Sequence, residues 1–196
     1  MPVQRGEGHG QRVSDMTLEE LWELFPISLV EHDDKWRHQY EEIEASLRES
    51  LAGFSVARVS HIGSTAVDGI WAKDIVDVLV ELSEGIDLGA AAGVLAQAGF
   101  TIMSDKGNRV SLNLGYTKDG FADKVYHVHL RHAGDNDELY FRDYLNEHPE
   151  AAREYEALKL RLWKRFEHDR DAYTDAKADF ISAITKEARR EYTGRY

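Results

Sequence analysis

Hydrophobic and polar positions recur with two different periods along this chain, and the switches between them divide it into elements. Thr17 and Glu20 stand at capping-box spacing ahead of Leu18, Leu21, Trp22 and Leu24, which predicts a short helix ending before Pro26. Ile27 to Val30 reads as extended. Asp33 or Asp34 then caps a longer helix in which Trp36, Tyr40, Ile43 and Leu47 recur at helical spacing. Ser55 to Ile62 and Ile75 to Glu81, rich in β-branched residues, predict two strands. Leu and Ala fill a predicted helix over Asp87 to Ala98, stopped by Gly99. Phe100 to Met103, Arg109 to Tyr116 and Asp123 to Arg131 predict three further strands, two of them paired as a hairpin. From Asp135 onward the period is helical, with apolar stripes at Phe141, Tyr144 and Leu145, at Tyr155, Leu158, Leu162 and Trp163, and at Tyr173, Phe180, Ile181 and Ile184. The pattern predicts an α+β or α/β sheet domain with a helical C-terminal third.

Residues 1–16 carry no apolar period and predict a loose leader, leaving 17–196 as a single domain. With 196 residues, 42% hydrophobic and 31% charged, the chain is long enough for a substantial core. No apolar run approaches the ~20 residues that span a bilayer, and no signal pattern opens the chain, so a cytoplasmic, non-membrane protein is expected. Cysteine is absent, which leaves any metal chemistry to His, Asp and Glu. A net charge of −12 speaks against nucleic acid as a partner but leaves room for a local basic pocket.

The candidate chemistry is concentrated in two stretches. His61-Ile62-Gly63-Ser64-Thr65-Ala66-Val67-Asp68-Gly69-Ile70-Trp71-Ala72-Lys73 is a small-residue turn leaving one strand, and it is followed by Asp77 inside an aliphatic run. An unpaired carboxylate is costly to bury, so Gly63, Ser64 and Asp77 are read as a functional set that places phosphate against a cation. Strand parity puts Asp77 with Ile75 and Leu79 and turns Asp74 to the opposite face. No second acid stands at i+2, and one acid alone holds Mg²⁺ weakly unless substrate phosphates add ligands. In the second stretch parity places His127, His129 and Arg131 on one strand face. Two imidazoles ~7 Å apart share a metal or bracket a phosphate. An equally open reading is a solvated polar face. With Asp77 on another strand, Asp77, His127 and His129 are a candidate three-ligand site for Mg²⁺ or another divalent metal. His61 is either a further ligand or a hydrogen-bonded core histidine.

Taken together, His61 to Val67 with Gly69, Ala72-Lys73, Asp77, His127-Val128-His129, Phe141-Arg142-Asp143-Tyr144-Leu145, Tyr155, Leu158-Lys159, Tyr173 and Lys177 resemble the GrpB-like (UPF0157) proteins, from about Pro26 to Ala188. The resemblance implies a nucleotidyltransferase-like fold, a mixed β-sheet flanked by helices. In that fold a Gly-Ser turn holds a nucleotide's phosphates and carboxylates on the following strands hold Mg²⁺. The chain departs from the family pattern at Asp68 and Asp74, where Pro is usual, which makes the loop more acidic and less rigid. It also has Leu79 where an active transferase has a second acid. No Gly-x-x-x-x-Gly-Lys-Ser/Thr loop occurs to support kinase chemistry.

The resemblance implies metal-dependent transfer of a nucleotidyl group from an NTP to a small acceptor. Gly63, Ser64 and Thr65 would bind phosphates, Lys73 would offset charge on the leaving pyrophosphate, and Arg131 would hold a phosphate. Asp77, His127 and His129 would hold the metal or move a proton. Arg142, Lys159 and Lys177 join the phosphate-binding set only because the resemblance reaches them; Tyr173 and Lys177, at i and i+4, would face the cleft together. The competing expectation is a non-catalytic module that binds a nucleotide or anion, with an acidic surface for a protein partner. A phosphohydrolase using Asp77, His127 and His129 is the weaker third.

Overall fold

The structure, a computed structural model, describes residues 16–196; the leader expected over 1–16 lies, except for Met16, outside them. Helix α1 (Leu18–Leu24) starts on the capping box, with the Thr17 hydroxyl accepting from the Glu20 N–H and the Glu20 carboxylate accepting from the Thr17 N–H. Helix α2 (Lys35–Ser50) buries Trp36, Ile43 and Leu47. The expected extended stretch before it makes a single bridge, Val30 to Ala72.

Five strands form one mixed sheet: β1 (Val56–Ile62), β2 (Val76–Leu82), β3 (Thr101–Asp105), β4 (Arg109–Thr117) and β5 (Gly120–His132), in the order β1-β2-β5-β4-β3. Only β2 and β5 run parallel, with Asp77 opposite His127 and Leu79 opposite His129. Their connection carries α3 (Leu88–Gln97), capped by Asp87, whose carboxylate accepts from the Gly89 and Ala90 N–H groups. The hairpin strand β5 begins at Gly120, three residues earlier than the alternation suggested, because the Thr117–Gly120 turn continues its pairing with β4.

Period two sorts the sheet into two faces. Val76, Val78, Val80 and Leu82 of β2, with Tyr126, Val128 and Leu130 of β5, pack against α2 and α3. The other face carries Asp77, Leu79, His127 and His129 and lies under the C-terminal helices α4 (Asp137–Glu147), α5 (Pro149–Arg165), α6 (Arg170–Asp175) and α7 (Ala178–Glu191). The last apolar stripe, expected as one helix, is two: α6 stops at Asp175, and a turn at Ala176 and Lys177 precedes α7. That turn leaves Tyr173, buried, and Lys177 on the same cavity wall, with the ammonium 4.2 Å from the ring centroid. Among the described residues no helix is long and apolar enough to cross a membrane.

Candidate functional site

The turn after β1 is braced by hydrogen bonds that involve Thr65, His61, Arg142 and Asn146. Gly63 has φ 72° and ψ −170°, which favours glycine, and a 3-10 turn follows over Ser64–Ala66. Thr65 donates its hydroxyl to the Ile75 carbonyl (3.3 Å), so His61 Nε2 donates to Thr65 Oγ1 (2.9 Å). Burial pushes the His61 imidazole down to about 4, with Arg142 and Arg37 adding to the effect and Asp77 opposing it. His61 is therefore a neutral brace, stacked on Tyr40 at 5.0 Å. Arg142 donates to the His61 carbonyl (2.8 Å), and Asn146 to that of Ala66 (3.0 Å).

Asp77 sits beside this turn on β2. His127 Nδ1 lies 3.1 Å and His129 Nε2 3.8 Å from Asp77 Oδ1. The other His127 nitrogen, Nε2, is 2.8 Å from the Tyr116 hydroxyl, which accepts in turn from Arg170 at 3.2 Å. The donors balance in one way: His127 Nδ1–H to Asp77, Tyr116 O–H to His127 Nε2, and Arg170 N–H to Tyr116. Burial acts to raise the Asp77 carboxyl, but its bonds and charge interactions with the two histidines outweigh that and hold it well below the carboxylate range. Burial pushes His127 down against the pull of Asp77.

Across from Asp77 lies a cavity of about 180 Å³ into which three lysines converge: Lys73 from the loop before β2, Lys159 from α5 and Lys177 from the turn before α7. Gly63, Ser64 and Thr65 line the same cavity, and Asp77 is its one carboxylate. Lys159 is 1% exposed; its ammonium donates to the Trp71 carbonyl and lies 4.9 Å from the Tyr155 ring centroid. Lys73 and Lys177 face Tyr173, at 5.8 and 4.2 Å, and among the described residues none of the three has a carboxylate partner. Burial, followed by repulsion from a neighbouring cation, pushes Lys73 down to about 8 and Lys159 and Lys177 to about 7, against a smaller pull from Asp77 on Lys73 and Lys177 and from Glu156 on Lys159. An anion in this cavity would relieve both costs.

The sites expected from the sequence thus separate. Gly63, Ser64, Thr65, Lys73, Asp77, His127, Lys159 and Lys177 share the cavity. His129 stands one step along β5, near Ser111 and the second cavity described below. Arg131 is not brought to the cluster: four residues along β5 place it about 13 Å from His127. It is buried there, donating to the Val110 and Leu130 carbonyls. Arg142 is taken up by the His61 carbonyl, Asp143 and Tyr196. Asp74 points away as parity required, and accepts from Lys35 and Trp36. Both His127 nitrogens are paired, Nδ1 with Asp77 and Nε2 with the Tyr116 hydroxyl, so His127 would give up one of these bonds to ligate a divalent metal. Among the described residues no three His, Asp or Glu side chains are grouped to hold one.

Tyr116 and Arg170 escaped the sequence reading. Strict alternation from Val110, Leu112 and Leu114 sends Tyr116 to the core face. The bulge at Gly115 (φ 93°) resets it toward His127. A glycine inside a strand was the available signal; a Cβ there would meet Val125 Cα at 3.0 Å.

Comparison with known proteins gives a consistent set of relatives. The family model described as GrpB protein matches residues 26–187. A UPF0157 protein of Deinococcus radiodurans is 35% identical over 186 residues, covering 94% of this chain and 93% of its own length. The glutamate-rich protein GrpB of Alkalihalophilus pseudofirmus is 33% identical over 170 residues, covering 82% and 95%. The crystal structure of the conserved protein GrpB from Enterococcus faecalis superposes with a TM-score of 0.72 at 30% identity, over 84% of this chain and 99% of that one. By its sequence and its fold, this chain belongs to the GrpB family.

Proposed function

We propose that this protein binds the phosphate chain of a small phosphorylated ligand, with nucleoside triphosphates the class to test first, in the cavity between the Gly63-Ser64 turn and the C-terminal helices. The observation that carries the reading is the convergence of Lys73, Lys159 and Lys177 on about 180 Å³ with Asp77 as the single carboxylate. Ammonium groups so placed are point charges suited to phosphate, and their burial strengthens the attraction. Gly63 leaves room at the wall, and Ser64 adds a hydroxyl there.

A second reading, nucleotidyl transfer to a small acceptor, is favoured by the Asp77–His127–Tyr116 chain, in which the carboxylate orients the imidazole and the imidazole is the proton acceptor. Mg²⁺ or another divalent cation would supply charge stabilisation for that chemistry. Asp77→Asn discriminates between the two readings in a calorimetric titration of tripolyphosphate and ATP, run in EDTA and in Mg²⁺. Under the binding reading the wild type takes up tripolyphosphate in EDTA, and the variant, having lost the one carboxylate that lines the cavity, binds it more tightly. Under the transfer reading binding requires the cation and the variant loses it. Failure of the wild type to bind either compound under any condition contradicts both.

A further inference from the structure

We infer that the ligand spans two compartments, its phosphate chain in the lysine cavity and a nucleoside in a second, larger cavity that opens off it; this rests on the phosphate reading above. The second cavity measures about 720 Å³ and shares Gly63, Asp77 and Tyr155 with the first, so the two adjoin across the Asp77 carboxylate. Their characters differ. Ile62, Phe141 and Ile181 give the larger one an apolar lining, and the hydroxyls of Thr174 and Ser182 stand on its wall. Lys186 and Arg189 line it together with Asp137, Glu138 and Asp175, and Arg189 is already paired with Asp137. Carboxylates outnumber cations there, so a phosphate is better placed among the three lysines next door.

Size points the same way. Small-molecule sites occupy roughly 300–1,000 Å³, a range that the lysine cavity falls below and the second cavity meets. An occupant joined to the phosphates must bring no further negative charge, offer apolar faces to Phe141 and Ile181, and carry polar edges for the two hydroxyls. A nucleoside has that chemistry.

Affinities of tripolyphosphate and of ATP, GTP, CTP and UTP for the full chain test the inference, with Ala178→Trp and Thr185→Trp filling the second cavity from α7. Two cavity-filling variants guard against one failing to fold, which circular dichroism reports. At least one triphosphate is expected to bind about tenfold more tightly than tripolyphosphate. Either Trp variant should reduce that affinity to the tripolyphosphate level while leaving tripolyphosphate itself unchanged. Tripolyphosphate binding with no nucleotide tighter, or nucleotide binding indifferent to both Trp variants, overturns the second compartment and leaves the phosphate reading standing. No tripolyphosphate binding overturns the phosphate reading, and this inference with it.

Discussion

The backbone of Gly63 lies directly against the Asp77 carboxylate: a Cβ at position 63 would meet Asp77 Cγ at 2.9 Å and Asp77 Cβ at 3.0 Å. Turn and carboxylate fix each other, since Asp77 Oδ1 is in turn held by His127. Gly63→Ala adds left-handed strain to this clash. Each contributes about 1–3 kcal/mol, so a loss of about 2–6 kcal/mol in urea unfolding is expected. A change under about 0.5 kcal/mol, the range of ordinary surface substitutions, would contradict the packing.

Titration of the three lysines gives two trends of opposite sign. Their folded pKa values, about 7 for Lys159 and Lys177 and about 8 for Lys73, lie below the ordinary lysine value of about 10.4. Between those limits the unfolded chain holds protons that the folded one lacks, so these groups make the unliganded protein more stable as pH rises from about 7 toward 10. Over the same range the cavity loses positive charge and anion affinity falls. Thermal unfolding at pH 6.5 and pH 9, with and without tripolyphosphate, should show a rising baseline stability and a shrinking ligand-induced shift; a shift that grows with pH is the contrary result.

Lys159 separates stability from binding. Its buried ammonium donates to the Trp71 carbonyl, lies over the Tyr155 ring and has Lys73, Lys177 and Glu156 nearby. Lys159→Met keeps the stem's packing and removes the charge, which leaves stability at pH 7 unchanged or raised by up to about 2 kcal/mol. The same variant should bind tripolyphosphate about tenfold more weakly. Lower stability with unchanged binding would make Lys159 structural only.

Tyr116→Phe removes the donor to His127 Nε2. That bond favours the neutral imidazole, so its loss raises the His127 pKa, and NMR titration of the ring protons reads the rise. A cost of about 1–2 kcal/mol in stability accompanies it. An unmoved His127 titration would break the proposed order of donors.

The two sheet faces were legible in the sequence because they follow from period two. The parity of Val76 and Asp77 or of Val128 and His127 is the same in the structure as in the sequence pattern. Tyr116 was not legible, since a bulge at Gly115 breaks that parity. The grouping of Lys73, Lys159 and Lys177 followed from resemblance alone: they lie on a loop, a helix and an inter-helix turn, and no local period links them. Arg131 shows the limit of the parity argument. It has the right face but the wrong distance; its Nη1 donates to the Val110 and Leu130 carbonyls, and its guanidinium lies near Asp135 and Glu138. The break between α6 and α7 was hidden because the apolar spacing on its two sides continues across it.

The proposed anion site rests on three lysines that converge on a cavity lined by a single carboxylate. Calorimetric titration of tripolyphosphate in EDTA at pH 7, into the wild type and into the Lys73→Ala/Lys177→Ala double variant, tests it most directly. Saturable binding by the wild type, lost in a folded double variant, is the predicted result. Binding of equal strength in both proteins, or none in the wild type, would contradict it.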